Sequence, residues 1–134
     1  MKVEYQKFIT RQNMRDNPKS LYIFGDNVKR TGFGGQAKEM RGEPNAFGIV
    51  TKLAPTYNPD DFMKDTSENL FKVASDFNRL FKELRSDNYD TLVIPEDGIG
   101  TGIANLKDTA PMILLYITQM LFTDIPIKWD LTIE

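Results

Sequence analysis

Neither cysteine nor histidine occurs anywhere in the 134 residues. Without cysteine there is no disulfide, no thiolate-held zinc, no iron–sulfur cluster and no thiol nucleophile. Without histidine there is no Ser-His-Asp triad, no imidazole base and no imidazole-held catalytic metal. Any chemistry must come from carboxylates, Lys, Tyr, Asn, hydroxyls or backbone amides. A positive charge excess is missing too: 17 Lys and Arg stand against 19 Asp and Glu, a net charge of −2. No general electrostatic affinity for nucleic acid is therefore expected, which leaves open a small anionic ligand held by local geometry. No apolar run approaches the roughly 18 residues of a membrane span. The segment MKVEYQKFIT lacks the apolar core of a signal peptide. The expectation is a cytoplasmic location with no membrane partner.

Hydrophobic residues make up 40% and charged residues 27% of the chain, the balance of an ordinary globular domain. The length fits one domain, residues 1–134. No internal repeat or low-complexity segment breaks it. Val3–Ile9 reads as a first strand and Arg11–Ser20 as a polar loop with at most a helical turn. Leu21–Phe24 is an apolar run that stops at Gly25, and Ala46–Val50 is another, ending at Thr51-Lys52. Such short, wholly apolar runs suit strands buried on both faces. Gly34–Arg41 reads as a short helix and Leu53–Asp65 as an irregular loop.

Between Thr66 and Arg85, Leu70, Val73, Ala74, Phe77, Leu80, Phe81 and Leu84 recur at helical spacing, with Asp65 or Ser67 as the cap. Thr91–Ile94 is a buried strand ending at Pro95. Ala110–Phe122 reads as a helix with Thr109 as its cap and Pro111 in its first turn. Ile127–Glu134 alternates apolar and polar and predicts a last strand at a sheet edge. Short strands alternating with helices predict a three-layer α/β/α domain with a mixed, mostly parallel sheet.

Ligands of such sheets bind beyond the carboxyl ends of the strands, and two glycine-rich stretches follow directly after strands. The first is Gly25-Asp26-Asn27, then Gly32-Phe33-Gly34-Gly35-Gln36, running towards a helix. Glycines let backbone N–H groups approach an anion, a helix start adds partial positive charge, and Asn27 offers an amide to a ligand hydroxyl. A turn and helix start with no ligand is the plainer alternative. The second is Gly98-Ile99-Gly100-Thr101-Gly102-Ile103-Ala104-Asn105, with Asp97 just before it. Alternate glycines suggest a phosphate cradle. A Cβ at Gly100 or Gly102 should obstruct it or demand a positive φ. Lys52 follows a buried strand on the same rim, where spacing alone favours a solvated lysine. Asp26, Glu96 and Asp97, each taken singly, read more simply as turn or cap residues.

The order and spacing of these motifs resemble the macrodomains, which bind ADP-ribose. In that family a strand ending in Asn is followed, four residues on, by a run of glycines. Gly25-Asp26-Asn27 and Gly32-Phe33-Gly34-Gly35 are similar, as is Ile99-Gly100-Thr101-Gly102 to the family's diphosphate loop, with Glu96-Asp97-Gly98 as extra loop. The closest resemblance is to the branch of terminal ADP-ribose glycohydrolases and antitoxins acting on ADP-ribosylated DNA. There a Thr-Lys ends the strand between the two loops, as Thr51-Lys52 does here. The resemblance spans Leu21–Leu106.

It implies a macrodomain-like fold and, as partner, ADP-ribose or an ADP-ribosylated macromolecule, with no cofactor and no metal. By the resemblance, Asn27 meets the distal ribose and Lys52 is catalytic. Gly25, Asp26, Gly32, Gly34, Gly35, Gln36, Thr51, Gly98, Ile99, Gly100, Thr101, Gly102, Ile103 and Asn105 surround the ligand. Two departures stand out. The family's acid after the diphosphate loop falls on Ala104, so either Asp97 supplies the acid or it is missing. The adenine-contacting Asp has no match in Thr10-Arg11-Gln12. Hydrolysis of an ADP-ribosyl link is the first expectation; a module that binds without cleaving is the alternative, and a domain with no ligand is the third.

Overall fold

The structure is a computed structural model and describes residues 1–132. Its centre is a four-stranded sheet of β1 (Lys2–Gln6), β2 (Ser20–Asn27), β3 (Ala46–Lys52) and β4 (Thr91–Pro95), in spatial order β1-β4-β2-β3. All three strand pairings are parallel. The antiparallel part of the expected mixed sheet is reduced to an isolated bridge between Lys52 and Phe62.

Successive side chains of a strand point to opposite faces, and here each face meets its own helices. Leu21, Ile23, Ile49, Leu92 and Ile94 pack under α3 (Ser67–Arg85), α5 (Pro111–Gln119) and α6 (Ile125–Trp129), against Val73, Phe77, Leu80, Ile113, Ile117 and Ile125. Tyr22, Phe24 and Val93 pack on the other side against Met14 of α1 (Arg11–Asp16) and Ala37 and Met40 of α2 (Ala37–Met40). Two apolar clusters on either side of one sheet make the three-layer α/β architecture.

Several boundaries differ from the sequence expectations. β1 stops at Gln6, and Arg11–Asp16 forms a full helix because Thr10 and Asn13 make a reciprocal capping box. β2 runs through Gly25 to Asn27. Thr66, rather than Asp65 or Ser67, caps α3 by accepting from the Asn69 N–H at 3.1 Å. Asp65 instead accepts from the N–H groups of Met112 and Ile113, both at 2.9 Å, and so serves the first turn of α5. Thr109 is not a cap there; it ends a short helix, α4 (Leu106–Thr109). Leu70 of the expected apolar stripe is exposed.

The C-terminal strand is not formed. Ile127-Lys128-Trp129 belongs to α6, Asp130–Thr132 is not strand, and Ile133 and Glu134 lie outside the described residues. Ile113, Ile117, Leu121 and Ile125 are all buried at steps of four residues. An ideal α-helix would rotate such a series away from the core, since 3.6 residues complete a turn. The π-helical segment Met120–Asp124 takes up the surplus and keeps the series facing the sheet. Pro126 then falls in the first turn of α6, where its missing N–H is tolerated.

The outer edge of β3 is covered by side chains. The Val50 N–H donates to Asp76 Oδ2 at 2.8 Å. The Gly48 carbonyl accepts from Arg30 Nη1 at 2.9 Å and Arg79 Nη2 at 3.4 Å, and both arginines also hold Asp76. Asp76 is buried on the flank of α3.

Candidate functional site

Because β2, β3 and β4 run parallel, their carboxyl ends share one rim. The chain leaves β2 towards α2 on one face and leaves the adjacent β4 towards α4 and α5 on the other. Loops that part to opposite faces leave a crevice between them. The cleft there holds about 310 Å³ and is walled by both glycine-rich loops and the end of β3. Such a volume lies at the lower end of the range for small-molecule sites.

Lys52, Asn27 and Asp97 all line this cleft. So do Gly25, Asp26, Gly32, Gly34, Gly35, Gln36, Thr51, Gly98, Ile99, Gly100, Thr101, Gly102 and Ile103. Asn105 does not; it stands in a left-handed conformation, φ 51°, immediately before α4. Pro55, Tyr57 and Ala104 also line the cleft, as do Lys7, Thr31 and Arg41, which had no motif to mark them.

Asn27 ends β2 and is only 7% exposed. Its Nδ2 donates to the Thr31 carbonyl at 2.7 Å, which fixes the orientation of the amide. Its Oδ1 is buried and has no hydrogen-bond partner among the described residues. A buried acceptor left unmade costs about 1–3 kcal/mol. Asp26 is differently placed. Its carboxylate accepts from Arg41 Nη2 at 2.5 Å and Nη1 at 3.2 Å and from the Asn27 N–H at 2.8 Å, and Arg30 lies 3.7 Å away. It shapes the end of β2 with its lone pairs already engaged.

The loops present backbone donors. Among the described residues, the N–H groups of Gly32–Gly35 and of Gly100–Ile103 find no acceptor. The first series is not a helix start as expected: α2 begins only at Ala37 and has four residues, too few for a useful dipole. In the second loop Gly100 has φ 78°, and a Cβ there would lie 2.4 Å from Leu106 Cδ1. At Gly102 no positive φ is required and a Cβ would meet no atom of the chain within 4 Å, so of the expectation there only obstruction of a ligand remains. Gly100 therefore sets the loop's path and Gly102 leaves room beside it.

Lys52 is 6% exposed. Its Nζ donates to the Thr56 carbonyl and lies 4.4 Å from the centre of the Phe62 ring and 5.1 Å from that of Tyr57. Burial pushes its pKa below the ordinary lysine range, and the charge of Asp61 resists that shift. It is not the solvated lysine that spacing alone favoured. Asp97 is exposed at the mouth, and its backbone carbonyl accepts weakly from Thr101 Oγ1 at 3.4 Å. Ala104 puts a methyl group into the cleft wall where the resembling family carries an acid.

A profile for a family of unknown function (DUF7831) matches residues 4–120. No match was found among curated proteins or among solved structures.

Proposed function

Since the chain belongs to that family of unknown function, any activity must be read from its own cleft, and we propose that it binds ADP-ribose and hydrolyses an ADP-ribosyl linkage. The observation that carries the binding half is Asn27 Oδ1, a buried acceptor without a donor on the cleft wall. It calls for a ligand that brings a hydroxyl, such as a ribose. The unpaired N–H groups of Gly32–Gly35 and Gly100–Ile103 call for anionic oxygens nearby, which a diphosphate supplies. Net charge contributes nothing to this recognition; the donors are backbone and fixed in place.

The catalytic half rests on Lys52. A buried amine with a lowered pKa gives up its proton more readily than a free lysine, and the neutral amine is the nucleophile. Nζ can donate one hydrogen to Thr56 and still present its lone pair. In the proposed reaction that lone pair forms a bond to the anomeric carbon of the distal ribose. The bond to the target breaks and its electrons leave with the target group. The amine proton passes to the departing group or to solvent. Water then releases ADP-ribose and restores the amine.

A reader that binds without turnover is the second reading, favoured by Ala104 and by the engagement of Asp26 with Arg41, which leave Asp97 as the free carboxylate of the cleft wall. Calorimetry with ADP-ribose, ADP and adenosine tests binding. Release of ADP-ribose from carboxylate-linked protein and from base-linked DNA tests cleavage. Binding of ADP-ribose at least tenfold tighter than adenosine, with release abolished by Lys52→Ala, is expected. Binding without release selects the reader. No change in melting temperature with any nucleotide at saturation removes both readings, because ligand bound to the native state must raise it.

A further inference from the structure

The loop between β3 and α3 holds a carboxylate that the proposed reaction does not use. Asp61 ends the single 3-10 turn Pro59–Asp61 and does not line the cleft. Its Oδ2 accepts from the hydroxyl of Thr56, the residue whose carbonyl holds Lys52 Nζ. The same hydroxyl oxygen accepts from the Asn58 N–H at 3.1 Å. At its base the loop is closed by the Leu53 N–H donating to the Asp61 carbonyl at 2.9 Å and by the Lys52–Phe62 bridge.

These bonds form one connected path. The Asp61 carboxylate fixes the Thr56 hydroxyl, and with it the peptide unit of Thr56. The Thr56 carbonyl then fixes Nζ, while Phe62, next to Asp61, supplies the nearest ring face. A free lysine side chain has about 2 kcal/mol of rotamer entropy, so an amine that must meet one carbon atom gains from being held. Thr56, Tyr57 and Asn58 are exposed, so beyond the approach of Pro55 to Gly32 and of the Tyr57 ring to Lys52, these bonds are what hold the tip of the loop among the described residues.

We propose that Asp61 is a positioning residue for Lys52: acting through Thr56, it holds the loop so that the Thr56 carbonyl keeps the lysine amine at the cleft wall. The proposal rests on the reading of Lys52 as the nucleophile. It accounts for a catalytic lysine without a carboxylate at Ala104, because the acidic partner comes from the loop behind the lysine and not from the ligand side.

The test uses Thr56→Val and Asp61→Ala to break the path and Thr56→Ser to keep it. Three readouts are taken: ADP-ribose affinity, kcat and KM for release, and the carbon-detected NMR titration of Lys52 Cε, assigned by its loss in Lys52→Met. Affinity and KM should stay within about threefold in every variant. kcat should fall at least tenfold in Thr56→Val and in Asp61→Ala, the double variant should fall no further, and Thr56→Ser should stay near wild type. The Lys52 Cε signal should move in both broken variants, and its titration midpoint should fall in Asp61→Ala, where a neighbouring negative charge is gone. Unchanged kcat or an unchanged Lys52 signal in both broken variants overturns the proposal, as does Thr56→Ser behaving like Thr56→Val. If the wild type releases no ADP-ribose, the lysine signal still decides: a signal that moves keeps the positioning role while the hydrolase reading fails, and one that does not move removes both.

Discussion

Replacing Asn27 by alanine should separate stability from affinity in opposite directions. The wild-type side chain makes one bond, from Nδ2 to the Thr31 carbonyl at 2.7 Å, and leaves Oδ1 buried without a partner. Losing the bond costs about 0.5–1.5 kcal/mol, and Thr31 is exposed, so water can take over at its carbonyl. Removing the orphaned acceptor returns about 1–3 kcal/mol. The balance runs from a loss of about 0.5 kcal/mol to a gain of about 2.5 kcal/mol, which for a domain of this size raises Tm by up to about 10 °C. In the complex the same oxygen accepts a ribose hydroxyl, so the variant should bind ADP-ribose about 5- to 150-fold more weakly, the equivalent of about 1–3 kcal/mol. Urea denaturation followed by fluorescence gives the first quantity and isothermal calorimetry the second. A variant that is less stable by more than about 1.5 kcal/mol yet binds ADP-ribose as wild type does would show that Asn27 is a structural residue, and the reasoning from its free oxygen would be wrong.

Other substitutions probe the rest of the site and its frame. Gly100→Ala must place a Cβ 2.4 Å from Leu106 Cδ1 at φ 78°, and should lose about 2–5 kcal/mol of stability; Gly102→Val should leave Tm nearly unchanged and weaken ADP-ribose more than tenfold while sparing adenosine, and equal loss for both ligands would refute the phosphate cradle. Burial lowers the Lys52 pKa, so the rate of ADP-ribose release should rise with pH and level off below the ordinary lysine value of roughly 10.4; a flat profile from pH 6 to 10 would count against an amine nucleophile. For the same reason the unfolded chain binds more protons than the folded one between the lowered value and roughly 10.4, so wild type should gain stability relative to Lys52→Met as pH rises through that window. Asp76→Ala leaves the Val50 N–H and two partly exposed arginines without their acceptor, and should cost about 1–3 kcal/mol by thermal denaturation; a loss under 0.5 kcal/mol would mean that solvent replaces the carboxylate freely.

The strands were legible because a run such as Leu21–Phe24 has few other uses, and the order of strands and glycine-rich loops then placed the cleft. What the residue pattern did not show was where polar side chains would find partners. Asp76 sits on the stripe side of a well-marked helix, yet its carboxylate is consumed by an edge strand and two arginines. Arg41 and Lys7 reach the cleft from positions that no spacing rule selects. The terminal alternation Ile127–Ile133 misled for a specific reason. Ile113, Ile117, Leu121 and Ile125 carry a four-residue period that a π-helical segment converts into one buried face, and Trp129 extends it by stacking on Phe81 at 6.0 Å. Period two and period four share every second position, so Ile127 and Trp129 satisfied the strand pattern while belonging to α6. Lys52 shows the converse. Motif order marked it, but its burial depends on Tyr57 and Phe62, in a loop whose sequence has no periodicity.

The covering of β3 has a consequence for the protein while it is being made. An edge strand with free outward amides and carbonyls is a template on which another chain can add a strand. Here the Gly48 carbonyl is met by Arg30 from upstream of the strand, but the Val50 N–H is met by Asp76, more than twenty residues downstream. A nascent chain that has emerged as far as Met63 already carries the paired strands β2 and β3 but none of α3. Over that interval the Val50 N–H is open, and it is covered only when α3 docks. Fragments ending before Ser67 should therefore self-associate where the full chain does not, and the rate at which α3 folds onto the sheet sets how long each newly made molecule is exposed to its neighbours on the same messenger.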